Sequence, residues 1–268
     1  GTYTYQAFVN DSTSTLYQTE KRTVIIGENQ VSGCTVIEQA GVYTLSQDIV
    51  DYSGNICINI SANNVLLDCQ GYLIDGLGDS LGSQKGIYVS RPSSSPEKVD
   101  VTIKNCKLND WNSAIYLNNV NNTLIQNIEI LDGPGTASGI QLVGKSFNNI
   151  IENSRIKNTG FGIYLSGTSP RKNNTVRDSY FIGNVKGNNS VGGLTGYHAY
   201  LILNSSVRGN VSGDNMVGGL GGESFQFAND SYFSGTVRGY DYVGGIAGFG
   251  ATNIRKSYSE GEVSGHDY

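Results

Sequence analysis

The segment "VGGLTGY", Val191 to Tyr197, recurs at a fixed interval and decides the fold class. It returns as "VGGLGGE" from Val217 and as "VGGIAGF" from Val243, so that each copy begins 26 residues after the previous one. Landmarks that share one period indicate an architectural repeat. Two further sets keep this period: Ser179, Ser205, Ser231 and Ser257, and Val185, Val211, Val237 and Val263.

The same organisation continues towards the N-terminus with steps of 22 to 26 residues. Short runs such as "SAIYL", "SGIQL" and "FGIYL" alternate with period 2, which is typical of strands. Short strands with turn residues at fixed offsets predict an all-β parallel β-helix, in which stacked coils share one core. The predicted turn positions are Asn105, Asn127, Asn153, Asp178, Asn204 and Asp230. The predicted inward positions are Leu108, Ile130, Ile156, Phe181, Val207 and Phe233.

Two local interpretations follow from the coil arrangement. An Asn or Asp at the end of a strand tolerates a left-handed conformation, and it can bond to its equivalent one coil away as a ladder. The glycines of "GYDYVGGIAGFG", Gly239 to Gly250, are expected to supply positive φ and close backbone approach at a corner. A phosphate-binding loop would need a Lys-Ser/Thr pair and a following helix, and the segment has neither.

Composition limits the classes of partner. The 268 residues carry a net charge of -5 without a basic patch, which argues against nucleic acid. The sequence has no run of about 18 apolar residues, so we expect no membrane span in this segment. Apolar residues make up 38% of the chain and are spread evenly, which favours a folded protein.

N-x-[ST] sequons mark candidate glycan acceptors on an exported protein. A chain rich in Asn, Ser and Thr also forms sequons by chance, and we expect some of these to be accidental. Eight sequons in one chain still favour an extracellular glycoprotein. The sequon asparagines are Asn10, Asn59, Asn121, Asn173, Asn188, Asn204, Asn210 and Asn229.

The four cysteines do not form a C-x-x-C motif, which disfavours zinc and redox sites. An even number in an exported protein favours disulfides, although four buried free thiols are the alternative. Sequence allows three pairings, of which we favour Cys34–Cys57 and Cys69–Cys106. Cys69 and Cys106 are near equivalent positions of neighbouring coils, about 5 Å apart. Cys34 and Cys57 flank the first strands, where a bridge would fasten the end of the solenoid.

Two segments resemble known families. The stretch "GCTVIEQAGVYTLSQDIVDYSGNICINISANNVLLDCQGYLIDG", Gly33 to Gly76, resembles the first coils of NosD-like and other pectin-lyase-like right-handed β-helix proteins. That match runs to about Ile182. The "VGGLTGY" copies resemble the GLUG motif of bacterial and archaeal surface proteins and adhesins. Together the resemblances imply a right-handed β-helix in a cell-surface protein.

The N-terminal stretch differs, because "GTYTYQAFVNDSTSTLYQTEKRTVII" alternates over two strands joined by a polar turn. It resembles the last hairpin of an immunoglobulin-like domain. We therefore expect three parts: residues 1–27 as this hairpin, 28–182 as the β-helix, and 183–268 as GLUG-type coils. Both ends look cut, since a further "VGG" is expected after "GHDY". At the N-terminus, either the rest of the immunoglobulin-like domain precedes Gly1, or the hairpin packs on the solenoid or on another subunit.

The pectin-lyase-like class includes hydrolases, lyases and epimerases, so carboxylates and cations are the groups to weigh as catalytic candidates. Hydrolysis needs two or three carboxylates on one face, and the hydrolase signature "NTD…DD" is absent. We interpret Asp68 and Asp110 as turn or ladder residues, while Asp75 and Asp79 flank a groove or cap a coil. Asp132 is the remaining candidate carboxylate. The candidate cations, interpreted as solvated surface groups, are Lys85, Arg91, Lys98, Lys104 and Lys107.

Two histidines, one loop and several tyrosines are the candidates for binding sites. His198 and His266 lack metal partners at motif spacing and are interpreted as loop residues. Calcium remains an alternative for the loop at residues 74–86. Tyrosines beside the Gly-rich turns are candidates for an interface or a sugar platform, namely Tyr197, Tyr200, Tyr240 and Tyr242. We predict no cofactor, no metal and no catalytic residue.

These features together predict an extracellular structural protein that is not an enzyme. It would be a subunit or segment of a cell-surface filament, appendage, S-layer or adhesin stalk, and it would mediate assembly or adhesion. Its partners would be other copies or domains of the same surface protein, with cell-surface glycans as further candidates. The alternative is a carbohydrate-active enzyme or a carbohydrate-binding module of the pectin-lyase-like class.

Overall fold

A computed structural model describes most of the chain. The described residues are 2–6, 8–10, 16–20, 22–25, 28–78, 83–92, 99–134, 137–157, 159, 161–165, 173–197 and 199–266. Asp79, Lys98 and His198 lie outside them, and so does the side chain of Asn10.

The described residues form a right-handed parallel β-solenoid of about eight coils, which confirms the predicted fold class. The strands of successive coils stack into three long parallel sheets. The first sheet contains β5 (Glu28–Val31), β7 (Gly41–Leu45), β10 (Val65–Asp68), β13 (Thr102–Lys104), β16 (Leu124–Gln126), β19 (Ile150–Glu152), β22 (Thr175–Arg177), β27 (Leu201–Leu203), β31 (Phe227–Asn229) and β35 (Asn253–Arg255). The second contains β8 (Ile49–Tyr52), β11 (Leu73–Gly76), β14 (Lys107–Asn109), β17 (Glu129–Ile130), β20 (Arg155–Lys157), β23 (Tyr180–Ile182), β24 (Val185–Lys186), β28 (Ser206–Ser212), β32 (Tyr232–Arg238) and β36 (Tyr258–Ser264).

The third sheet and three minor sheets complete the topology. The third sheet contains β6 (Thr35–Ile37), β9 (Ile56–Ile60), β12 (Lys85–Ser90), β15 (Ser113–Asn118), β18 (Ser138–Val143), β21 (Phe161–Leu165), β26 (Thr195–Tyr197), β30 (Gly221–Glu223) and β34 (Ala247–Phe249). A short parallel sheet contains β25 (Asn189–Gly192), β29 (Asn215–Gly218) and β33 (Asp241–Gly244). Near the N-terminus, β1 (Thr2–Tyr5) pairs antiparallel with β4 (Arg22–Ile25), and β2 (Phe8–Asn10) pairs antiparallel with β3 (Leu16–Gln18). The immunoglobulin-like origin of these pairs stays a prediction.

The core is a continuous column inside the coils. All six residues predicted to point inward, from Leu108 to Phe233, are at most 1% exposed. In the C-terminal coils the pairing keeps the predicted interval, since Val207 pairs with Phe233 and Val211 with Val237. The core therefore depends on stacking from coil to coil.

The Asn/Asp corner between the first and second sheets has the predicted conformation. All six predicted positions have φ between 45° and 57°. The Asn127 amide donates to Asn105 Oδ1 at 3.1 Å, and the Asn204 amide donates to Asp178 Oδ1 at 2.7 Å. The side chains therefore form ladder contacts along the corner.

The residue after each corner position forms a second, buried column. The Ser179 backbone N–H donates to Ser205 Oγ at 3.2 Å, and the Ser205 N–H donates to Ser231 Oγ at 3.1 Å. Each hydroxyl in turn donates to the carbonyl two residues earlier, as Ser205 does to Leu203 at 2.7 Å. Cys69 and Cys106 occupy this column in earlier coils, where they form a disulfide with Cα atoms 4.7 Å apart. The second disulfide joins Cys34 and Cys57, so both favoured pairings are present.

The expected close backbone approach is found at the "VGG" glycines. Positive φ, also expected for the glycines of Gly239 to Gly250, is present at Gly250 with 71° but not at the "VGG" glycines. The positive φ of 53° falls instead on the residue before each valine: Ser190, Met216 and Tyr242. A Cβ on Gly193 would lie 2.5 Å from the Gly219 carbonyl oxygen one coil away. Close backbone approach is therefore what these positions require.

Across the described ranges, we find no helix with the length and apolar character needed to span a bilayer.

Candidate active site

Aspartates from four successive coils approach one another where the second sheet ends. Asp51 and Asp75 belong to β8 and β11, Asp110 directly follows β14, and Asp132 lies two residues after β17. The Asn109 amide nitrogen donates to Asp75 Oδ1 at 3.0 Å and to Asp110 Oδ2 at 3.1 Å. One neutral donor thus bridges two carboxylates from adjacent coils. We call Asp51, Asp75, Asp110 and Asp132 the carboxylate row.

The electrostatics of the row centre on Asp110. Burial raises the pKa of the Asp110 carboxyl, and the negative charges of Asp75, Asp132 and Asp51 raise it further. Like charges disfavour ionisation of a group they surround, so Asp110 holds its proton to higher pH than an isolated aspartate. A carboxyl group with a raised pKa beside other carboxylates marks a candidate acid–base site.

The wall behind the row is built from aromatic and small residues. Trp111 is 1% exposed and donates its indole N–H to the Ile74 carbonyl at 2.9 Å. The Tyr52 ring packs against it with centroids 6.3 Å apart. A Cβ on Gly78 would lie 3.1 Å from Asp110 Cγ, so glycine at this position leaves space directly over the carboxyl group.

The structure separates the other predicted carboxylate, Asp68, from the row. Asp68 lies on the first sheet, where it pairs with Lys104 at 3.1 Å and accepts the Asn105 amide at 2.9 Å. Burial opposes ionisation of Asp68. The bonds from Asn105, the Gln70 backbone and Lys104 outweigh burial and lower the pKa. Asp68 is therefore a ladder residue, as predicted. Asp110 lies at a similar turn, but it also belongs to the carboxylate row.

Aromatic residues line the outer face of the third sheet, one short turn beyond the row. Tyr88 pairs in register with Tyr116, and their ring centroids are 5.6 Å apart. The Lys85 ammonium lies 5.0 Å from the Tyr116 ring and 5.7 Å from the Tyr88 ring. Further along, Tyr164 and Tyr197 are 6.2 Å apart. We call Tyr88, Tyr116, Tyr164 and Tyr197 the aromatic track.

The remaining cations and aromatic candidates have local roles. The Arg91 guanidinium donates to the carbonyls of Ile60 and Ala62 at 3.1 and 2.5 Å, and it fastens neighbouring coils. Lys107 is exposed. Tyr240 contacts His266 with centroids 5.7 Å apart. None of these residues extends the carboxylate row.

The sequon asparagines differ in accessibility. Asn173, Asn188, Asn204 and Asn210 are exposed, while Asn59 and Asn229 are half-buried. Asn121 is 1% exposed, and its Oδ1 accepts the Phe147 N–H at 3.0 Å. A glycan on Asn121 is incompatible with this packing, and occupancy of the exposed sites stays a prediction.

Sequence reasoning missed Asp51, Asn109 and the aromatic track except for Tyr197, which was a candidate for a sugar platform. A signal was present, because "IVD", "LID", "LND" and "ILD" recur in four successive coils. Within the ranges that the structure describes, there is no group of three or more His, Cys, Asp or Glu side chains able to hold a metal ion.

Comparison with known proteins adds a family and one structural likeness. The family model described as "Right handed beta helix region" matches residues 77–212, about half of the chain. No curated protein matches significantly. Among solved structures, the endo-xylogalacturonan hydrolase from Aspergillus tubingensis is similar, with 14% identity and a TM-score of 0.40 over 87% of this chain and 85% of that chain.

The prediction that this chain is not an enzyme is corrected here. It treated the fold as a structural rod, whereas the structure holds neighbouring carboxylates at one edge of that fold. It also treated Asp110 as a turn or ladder residue alone, whereas the structure brings Asp110 beside Asp75.

Proposed function

Since the chain belongs to the family of right-handed β-helix proteins, we propose that it is an extracellular carbohydrate-active protein that cleaves glycosidic bonds at the carboxylate row. The observation that carries this proposal is the Asn109 amide shared between Asp75 and Asp110, beside Asp51 and Asp132. Two disulfides support folding in an oxidising compartment outside the cytosol.

The roles follow from the raised pKa of Asp110 and from the position of Asp75 beside it. Asp110 donates a proton to the leaving oxygen. Asp75 acts as the base or nucleophile, and the Asn109 amide holds its Oδ1 next to Asp110. The negative charges of Asp51 and Asp132 stabilise the positive charge that develops on the sugar ring. Activity should fall as the pH rises through the Asp110 pKa.

The aromatic track supplies the binding surface in this proposal. Tyrosine rings offer flat apolar faces with a polar edge, which suits the C–H faces and hydroxyls of sugars. Tyr88 and Tyr116 belong to the same coils as Asp75 and Asp110, on the other side of the turn that follows the row. A polysaccharide bound along the track would therefore pass beside the carboxylates.

Release of reducing ends from a panel of plant, algal and bacterial polysaccharides tests the proposal. We expect Asp110→Asn and Asp75→Asn to lower kcat by at least about a hundredfold, because each removes a proton-transfer group. Asp230→Asn is the matched control, since it makes the same change at an exposed ladder corner. Full activity in both row variants, or no cleavage of any polysaccharide by the native protein, would exclude this reaction.

A second candidate function is assembly of a cell-surface filament, appendage or adhesin. It is favoured by the exposed apolar side chains concentrated in the last described coil: Tyr240, Tyr242, Phe249, Ile254, Tyr258 and Val263. In this proposal the GLUG-type coils from residue 183 onward contact other copies of the surface protein. Sedimentation velocity and electron microscopy over a range of concentrations test it, and a monomer at the highest concentration would count against it.

A further inference from the structure

An aromatic column on the outer face of the second sheet is interrupted by one small residue. Tyr180 pairs in register with Ser206, Ser206 pairs with Tyr232, and Tyr232 pairs with Tyr258. Tyr180 and Tyr232 are 36% and 38% exposed. Serine thus leaves a gap, one coil wide, between two tyrosines that face outward.

Each tyrosine beside the gap is supported from behind. The Arg155 guanidinium lies 5.3 Å from the Tyr180 ring, on the coil before it. On the far side, Tyr232 stacks on Tyr258 with ring centroids 5.5 Å apart and planes 9° apart. The supported faces point away from Ser206, so the free faces border the gap.

The size of the gap suits one flat ring. Neighbouring coils are separated by about 4.8 Å, which places Tyr180 and Tyr232 roughly 10 Å apart. Two aromatic faces at that separation can contact one inserted ring on both sides. A pyranose ring has apolar C–H faces for such contacts, with hydroxyls around its edge.

The rim of the gap carries a positive charge. Arg208 follows Ser206 by two residues on β28, so it lies on the same outer face, and it is exposed. Its partners in adjacent strands are Ile182 and Ser234, neither of which is acidic. Beyond Gly209 the face continues into a cavity of about 250 Å³, lined by Asn210, Ser212, Thr236 and Arg238 among others. Arg208 therefore borders the aromatic gap, while the polar cavity lies further along the strand, where Arg238 pairs with Glu262 at 3.5 Å.

We propose that this gap binds an acidic sugar unit of a polysaccharide, with the ring between Tyr180 and Tyr232 and its carboxylate on Arg208. Arginine holds carboxylates through two parallel N–H donors, which an exposed and unneutralised guanidinium can offer. The site extends beyond the proposed function, because it lies several coils from the carboxylate row and needs no catalysis. It would anchor an acidic glycan on the outer face of the second sheet, whereas the aromatic track lies on the third sheet.

Calorimetric titration with two matched tetrasaccharides tests the site. Tetramannuronate carries the carboxylate, and mannotetraose replaces it with a hydroxymethyl group. Ser206→Tyr fills the gap and completes the aromatic column, so the variant should fold while it excludes the sugar. Thr175→Tyr adds the same side chain to the first sheet and serves as the control. Arg208→Gln removes the charge and leaves the gap open.

We expect the native protein to bind tetramannuronate at least about tenfold more tightly than mannotetraose, because charged hydrogen bonds contribute more than neutral ones. Ser206→Tyr should lose binding of both sugars by about tenfold or more, while Thr175→Tyr retains it. Arg208→Gln should bind both sugars alike. No binding by the native protein, or native affinity in Ser206→Tyr with circular dichroism unchanged, overturns the proposal. Activity in the reducing-end assay is a separate measurement, so either proposal can fail alone.

Discussion

Asp110 lies at a strand-ending turn and also carries a carboxyl group with a raised pKa. Its φ of 58° is a conformation that Asp and Asn tolerate better than other side chains do. The same corner brings its carboxyl close to three others and partly buries it. A turn preference and a carboxyl group with a raised pKa thus coincide, which is why the turn interpretation from sequence was incomplete.

We expect Asp110→Asn to stabilise the protein at neutral pH. The folded-state pKa of Asp110 is raised, so its protonated form favours the fold, and this contribution disappears as the pH rises through the folded pKa. Asparagine keeps the shape without the charge. The gain should be below about 1 kcal/mol, because the group is partly solvated. Urea unfolding at neutral pH and at pH 3 measures it, and a gain of equal size at both pH values would contradict this account.

Gly209 tests the requirement for close backbone approach. It has a φ of 145°, and a Cβ there would overlap the Gly183 carbonyl oxygen one coil away. Gly209→Ala should therefore cost about 3 kcal/mol or more. Gly71→Ala is the control, since Gly71 has a φ of 84° but a Cβ there would have nothing within 4 Å, and it should cost about 1 to 2 kcal/mol. Equal costs in thermal unfolding would exclude the overlap as the cause.

At the scale of the element, the buried serine column ties each coil to the next. Ser205→Ala removes the acceptor for the Ser179 N–H and the donor to the Leu203 carbonyl. Leaving buried backbone groups unpaired should cost about 1 to 3 kcal/mol. Ser206→Ala changes the adjacent residue, whose side chain faces outward, and should cost less than about 0.5 kcal/mol. Chemical denaturation compares the two, and similar losses would show that the column contributes little.

The positions of strands and turns could be predicted from sequence because each coil of a solenoid repeats the same spacing of core and corner residues. The 26-residue period placed Phe181, Val207 and Phe233 in the core, and corner chemistry placed Asn105 and Asn204 in the ladder. Positive φ was wrongly expected at the "VGG" glycines, since glycine suits both positive φ and tight packing. The way in which the coils stack decides which of these two requirements a given glycine meets.

At the scale of the whole molecule, stability should vary along the axis. In a solenoid each coil is held by its two neighbours, and central coils therefore open least. Core positions such as Ile103 and Ile125 are fully buried, whereas Val263 in β36 is 44% exposed. Hydrogen exchange with mass spectrometry should find residues 253–264 exchanging well before residues 102–130. Uniform protection along the chain would indicate one cooperative unit instead.

The candidate site was harder to predict than the fold because it depends on contacts between coils. Asp75 and Asp110 are 35 positions apart in sequence, yet Asn109 joins them. The row spans coils of unequal length, so a fixed period does not align its members. Asp51 was overlooked for the same reason, although its "IVD" tripeptide resembles the others.

Trp111 is positioned to act as an intrinsic fluorescence probe of one coil. It is the single tryptophan of the chain, is buried, and directly follows Asp110. Intrinsic fluorescence excited at the red edge of protein absorption therefore comes from this one coil. We expect this emission to respond to protonation of the adjacent Asp110 without any attached dye, and not to changes at distant coils.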